Sequence, residues 1–173
     1  MPLIRKPRFG SGSAGVAIIR HQRDLALPQH DSTEYIYQEL IVGQSVNLEI
    51  CSDLSGRPMS LSCWKKLISR NGETELAVAL WRQDLIDFSQ TLAAKLPIVG
   101  PCDVDVIDRD GELFLIEFNM RFGGGYPVSQ LAGAALPELL LRAHNGECPA
   151  LRTDFAADIF MMKTLQPFGG RLD

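Results

Sequence analysis

The run Leu115-Ile116-Glu117-Phe118-Asn119-Met120-Arg121, closed by Phe122-Gly123-Gly124-Gly125, constrains the fold of this chain more than any other segment. Successive side chains of a strand point to opposite faces. Glu117, Asn119 and Arg121 are therefore expected on one surface, with Ile116 and Phe118 entering a core. Upstream, residues 104–107 and 113–118 read as a strand pair around the turn signal Asp108-Arg109-Asp110-Gly111. That pairing brings Asp105 onto the neighbouring strand, facing the same surface. A solvated strand face carrying charges is the plain alternative. Three consecutive glycines argue against it, because they let a backbone approach something closely.

The rest of the chain is organised around this pair. Residues 2–7 form a strand candidate that enters Gly10-Ser11-Gly12-Ser13-Ala14-Gly15, and residues 16–19 are β-branched and extended. Residues 22–27 suit one helical turn, and residues 28–32 read as loop. Residues 35–41 and 46–51 are expected to pair, with Val42-Gly43-Gln44 at their turn. Residues 59–70 continue the sheet up to the turn signal Asn71-Gly72. The first clear helix covers 84–96, where Leu85, Phe88, Leu92 and Leu96 share a face. Residues 128–134 and 137–145 close the chain as helices, Pro137 in a first turn and Gly146 at a C-terminal cap. Strands followed by helices without regular βαβ alternation indicate an α+β or mixed α/β fold.

Composition excludes several function classes. A chain of 173 residues, 46% hydrophobic and 22% charged, suits a single globular domain. Its net charge of −4 supplies no broad basic field, so nucleic acid is not the expected partner. The four cysteines, Cys51, Cys63, Cys102 and Cys148, have no zinc-type spacing and read as reduced thiols. The first residues lack the apolar run of a signal peptide, and no stretch approaches the ~20 apolar residues that span a bilayer. A cytoplasmic location without membrane association is the expectation.

Residues 10–15 match G-x-G-x-x-G and leave three readings open. A dinucleotide turn would have to open a helix, whereas Val16-Ala17-Ile18-Ile19 favours a strand. A flexible connection is the second. In the third, Lys6-Pro7-Arg8 places cations at the mouth of a Ser/Gly loop whose backbone N–H groups approach phosphate oxygens. At the other site, Asp105, Glu117 and Asn119 make an all-oxygen donor set suited to Mg²⁺. Arg121 adds a fixed cation for a transferring phosphoryl group.

Taken in order, Lys6-Pro7-Arg8 with the glycine-rich stretch, Gln38-Glu39-Leu40-Ile41-Val42-Gly43, Asn71-Gly72-Glu73 and Ile116-Glu117-Phe118-Asn119-Met120-Arg121-Phe122-Gly123-Gly124 resemble the ATP-grasp superfamily. Within it, the carbamoyl phosphate synthetase large-subunit and biotin carboxylase branch is the nearest in pattern. The resemblance implies a C-terminal ATP-grasp lobe, a mainly antiparallel sheet flanked by helices. It implies that Lys6, Ser11, Gly12 and Ser13 touch ATP phosphates, that Gln38, Glu39 and Ile41 border adenine, and that Ile107 packs on its ring. Asp105, Glu117 and Asn119 match metal ligands for Mg²⁺, with Mn²⁺ as an alternative, and Arg121 matches an arginine that steadies an acyl phosphate. Lys65 or Lys66 approaches the phosphates, unless it is a solvated strand charge.

The chain departs from the family pattern in three ways. Gln44 or Ser45 stands where an acidic residue often holds ribose, and Met120 replaces a frequent proline. The substrate-binding domain and first lobe that normally precede Lys6 are not in this sequence. The resemblance therefore implies an ATP- and Mg-dependent ligase lobe that activates a small carboxylate for attack by an amine, and either a fragment or split-gene product or a partner chain that supplies the missing lobe. A non-catalytic nucleotide-binding or assembly module is the alternative, and self-association is left open.

Overall fold

A computed structural model describes residues 2–10, 12–26, 34–70 and 72–164. Ser11, Asn71 and the expected loop at 28–32 lie outside the described residues.

Two antiparallel sheets carry the fold. The small one has three strands in the order β2-β1-β3, with β1 at Leu3–Pro7, β2 at Ala17–Ile19 and β3 at Tyr35–Glu39. A 3₁₀ turn at Gln22–Ala26 follows β2. The large sheet has six strands in the order β8-β7-β4-β5-β6-β9. These are β4 (Gln44–Ser52), β5 (Pro58–Arg70), β6 (Glu73–Ala79), β7 (Gly100–Arg109), β8 (Glu112–Asn119) and β9 (Phe160–Met162). Three α-helices occur among the described residues: α1 (Gln83–Lys95), α2 (Tyr126–Leu131) and α3 (Leu136–His144).

The core follows from alternation along β4. Val46, Leu48 and Ile50 are fully buried on the face that α1 covers with Leu85, Ile86 and Leu92. The other face carries Asn47, Glu49 and Cys51, paired in register with Trp64, Ser62 and Ser60. Helices α2 and α3 cover one end of that second face. There Ser62 Oγ meets Ser129 Oγ at 3.0 Å, and Ser60 Oγ donates to the Ala134 carbonyl at 3.2 Å. What remains uncovered on this face is the floor of the site.

The tight turns carry the expected chemistry. Asp110 and Gly111 both have positive φ, 54° and 92°, which closes the β7–β8 hairpin. Gly146 caps α3 at φ 84°. Three cysteines, Cys51, Cys63 and Cys102, are buried and reduced, and burial pushes their thiols up to about 12, 12 and 11, which keeps them unreactive. No helix among the described residues is long and apolar enough to cross a membrane.

Two expectations are corrected. The strands expected to pair around Val42-Gly43-Gln44 belong to different sheets: β3 pairs with β1, and β4 pairs with β5 and β7. Both edges of β4 are occupied by long partners, so β3 completes the small sheet. Residues 40–43 are thus a crossover, and Gly43 passes so close to the Asp108 carbonyl and Ile107 that no Cβ fits. The register of β8 slips between Asp105 and Val106, so Ile116 is skipped and turns into the cleft instead of the core. Phe118 does pack on the core, as expected. Strand β9, which adds an edge to β6, had no signal beyond three apolar residues.

Candidate active site

The uncovered face of the large sheet looks across a cleft of about 810 Å³ at β1 and the loop that follows it. Ile4, Lys6, Pro7, Gly10, Gly12, Ser13 and Val16 line the upper wall. Ser45, Asn47, Trp64, Lys66, Asp103, Asp105, Ile107, Ile116, Glu117, Asn119 and Arg121 line the floor. One cleft thus brings together Lys6, Gly12, Ser13, Ile107, Asp105, Glu117, Asn119 and Arg121. Gln38, Glu39 and Ile41 do not line it; they lie at the end of β3 and in the crossover that leads to Gly43 at its edge.

The glycine-rich loop joins two antiparallel strands, β1 and β2, with Leu3 paired to Ile19 and Arg5 to Ala17. A dinucleotide turn opening a helix is therefore not what this segment makes. Gly12, Ser13 and Gly15 all take positive φ, 64°, 59° and 73°. The loop rests on the β5–β6 turn, where a Cβ on Gly72 would stand 2.6 Å from the Gly12 carbonyl carbon.

On the floor, register places Asp105 directly opposite Glu117, and Asp103 opposite Asn119. The Asn119 amide spans the two carboxylates, 3.3 Å from Asp105 Oδ2 and 3.3 Å from Glu117 Oε1. Among the described residues no three His, Cys, Asp or Glu side chains cluster for a metal, so two carboxylates and one amide are what converges here. The two carboxylates offer oxygens that fit a hard cation, whose remaining positions water or phosphate would fill; Asn119 presents its amide nitrogen to them and its Oδ1 to Arg121. Lys66 Nζ holds Asp105 Oδ1 at 2.6 Å and so balances its charge. Of the lysine pair, Lys66 is the one in the cleft; Lys65 pairs with buried Val46 and points to the opposite face. Period-two alternation makes only one of two adjacent lysines available to a site.

Arg121 stands just past β8. Its Nη1 donates to the Phe122 carbonyl at 2.9 Å and its Nη2 to Asn119 Oδ1 at 3.1 Å. At the ribose-type position, Ser45 lines the cleft while Gln44 turns away to donate to the Ser45 and Lys66 carbonyls.

Two acidic residues of the site carry no local signal in the sequence. Glu49 is fully buried, and accepts hydrogen bonds from Trp64 Nε1 at 3.3 Å and from the Gly123 backbone. Asp103 lies across from it in register and accepts from Asn47 Nδ2 at 2.5 Å. Burial first, then the neighbouring negative charge, raises both carboxyls well above their ordinary range. Glu49 Oε2 and Asn47 Oδ1 are buried without a hydrogen-bond partner among the described residues. The sequence signal for this layer is indirect: the glycines after Arg121. A Cβ on Gly123 would lie 2.8 Å from Asp103 Cγ and closer still to Glu49, and one on Gly125 would enter the Trp64 ring.

Comparison with known proteins gives this geometry a family. The profile of the ATP-grasp domain matches residues 1–125. The 3-methyl-D-ornithine–L-lysine ligase of Methanosarcina barkeri is 32% identical over 157 residues, covering 87% of this chain and 41% of that protein. A carbamoyl phosphate synthase large chain of Clostridium perfringens is 20% identical over 163 residues, covering 84% of this chain and 15% of its own length. The biotin carboxylase domain of Hydrogenobacter thermophilus 2-oxoglutarate carboxylase, solved with MgADP, ADP and bicarbonate, superposes with a TM-score of 0.74 at 16% identity. That alignment covers 92% of this chain and 40% of that one, and shows a shared fold. The chain spans 41% of the length of the ornithine–lysine ligases it matches. Two antiparallel sheets closing on one cleft, with a family profile that covers most of the sequence, lead to one conclusion: this chain belongs to the ATP-grasp family.

Proposed function

We propose that this chain forms the nucleotide- and metal-binding lobe of a ligase that uses ATP to activate a carboxylate as an acyl phosphate, which an amine then captures. The observation that carries the reading is the cleft itself. A lysine and a glycine-rich loop stand on one wall, and Asp105, Glu117, Asn119 and Arg121 stand on the other. The names of the related proteins, an amino-acid–amino-acid ligase and a carbamoyl phosphate synthase, support this chemistry.

In this reading Lys6 and the backbone N–H groups of Gly12 and Ser13 hold the phosphates from above. Ile4, Val16, Ile107 and Ile116 give the cleft the apolar surface that a purine ring fills. Ser45 offers a hydroxyl to the ribose. Asp105, Glu117 and Asn119 would hold Mg²⁺, which would supply positive charge to offset that on the phosphoryl oxygens. A substrate carboxylate oxygen bonds to the γ-phosphorus as the bridge to the β-phosphate breaks, and ADP leaves. The amine nitrogen then bonds to the acyl carbon, phosphate departs, and the nitrogen gives up its proton. Arg121, a fixed planar donor, faces the transferring group and strengthens its hold as charge spreads.

Catalysis by this route needs the remaining parts found in the longer relatives, from a partner chain or a longer form of this one. The second reading is a nucleotide-binding or assembly module without turnover. ADP release measured with a panel of amino acids, with and without the complementary lobe, separates them. Release that depends on both an amine and a carboxylate supports the ligase; Mg–ATP binding without release in any combination supports the module.

A further inference from the structure

Glu49 and Asp103 lie outside the donor set assigned to the metal, and the fold retains them at a cost. Two facing buried carboxylates are harder to accommodate than an apolar pair of similar size. Both oxygens of Asp103 are already directed: Oδ1 takes the Asn47 amide at 2.5 Å, and Oδ2 faces Arg121 Nη1 at 3.6 Å. Lys66, the other cation on this floor, is drawn to Asp105 instead. The Asp103 side chain is only 6% exposed, while that of Arg121 is 58% exposed and leans over the cleft. An arginine so exposed would sample many rotamers without an anchor. Its guanidinium has five N–H groups, and the contacts to Phe122 and Asn119 use two donors, one on each Nη. The turn that carries Arg121 is seated as well, because Gly123 lies flush against both carboxylates and donates to Glu49.

We infer that Asp103 is a positioning residue that aims Arg121 across the cleft, with Glu49 and Gly123 forming the seat that holds the two in register. The importance of that aim for the reaction rests on the role given to Arg121 above; the aim itself is a property of this chain alone.

The first test is therefore spectroscopic. The side-chain Nε–H signal of Arg121 is assigned by its loss in Arg121→Lys, and its order is compared with that of Arg23, which is 81% exposed. The wild-type Arg121 signal should be ordered, and Asp103→Asn should lower its order toward that of Arg23. An Arg121 as mobile as Arg23 in the wild type, or equally ordered in wild type and Asp103→Asn, would overturn the inference. The second test is a thermal-melting cycle of Asp103→Asn, Arg121→Leu and the double variant. Coupling requires the double variant to melt above the sum of the single shifts; additive shifts count against it. In the complete ligase, Asp103→Asn should lower kcat by up to roughly 10²-fold and leave KM for ATP nearly unchanged. If the wild-type assembly releases no ADP, the ligase reading fails, while the spectroscopic result for Asp103 stands.

Discussion

The two sheets that form the cleft differ sharply in how they are held. In the large sheet, Val46, Leu48, Ile50, Leu61 and Val104 are wholly excluded from solvent, and helices pack on both faces. In the small sheet only Ile19 is buried among the described residues, while Ile18 and Ile36 stay 46% and 37% exposed. The floor, with its carboxylates and arginine, is thus built on the rigid element, and the glycine-rich wall is built on the element with least packing. Regions with few buried apolar contacts open first. The contrast suits a site whose charged groups keep their geometry while one wall admits and covers a ligand.

The largest effect expected from this contrast is on stability. Leu48→Ala in the large sheet should cost about 2–5 kcal/mol, whereas Ile18→Ala in the small sheet should stay below about 1 kcal/mol. Urea melts of the two variants check this, and equal losses would mean that the sheets form one cooperative core.

Next in size is the chemistry of the floor. Arg121→Lys, measured in the complete assembly, should lower the turnover number by about 10²–10³ with little change in KM for ATP. Lysine replaces a planar fork by a point charge, so wild-type turnover in this variant would remove Arg121 from the reaction.

The buried acids make the large sheet sensitive to pH. Glu49, pushed up to about 8, binds more protons folded than unfolded across the interval from the ordinary carboxylate range to that value. Its contribution to stability is complete below the unfolded pKa and is lost as pH rises through the folded one. Thermal melts should therefore show stability falling from about pH 5 to about pH 8, and Glu49→Gln should flatten that slope. An unchanged slope would place the proton elsewhere.

A smaller effect is expected for Glu117→Gln. Its side chain faces the cleft and packs against little, so stability should move by no more than about 0.5 kcal/mol. Mg²⁺-dependent nucleotide binding, followed by calorimetry, should weaken. A large loss of stability without ligand would make Glu117 a structural residue. The mildest measurement is hydrogen exchange at Gly12, Ser13 and Gly15, which should be fast in the free chain and slow with Mg–ATP. Equal protection in both states would indicate a static turn and remove the contrast between the walls.

The pairing of Asp105 with Glu117, the turn at Asp110-Gly111, helix α1 and the surface shared by Glu117, Asn119 and Arg121 were all legible in the sequence. Each depends on alternation, helical spacing or a short turn, so its determinants lie within about a dozen residues of one another. The glycines after Arg121 also announced a close approach, though not to what. Tertiary structure alone decided that β3 would leave its sequence neighbour β4 for β1, because the choice depends on which strand edges are already filled by distant segments. It decided that Lys66 rather than Lys65 enters the cleft, since that follows from the register in which β5 pairs with β4. It also decided that Glu49 and Asp103 are buried together, a juxtaposition of residues 54 positions apart (103 − 49 = 54) that arises only when β4 and β7 pair. A charge pattern within one strand names its face; what that face meets depends on strand pairing across the whole sheet.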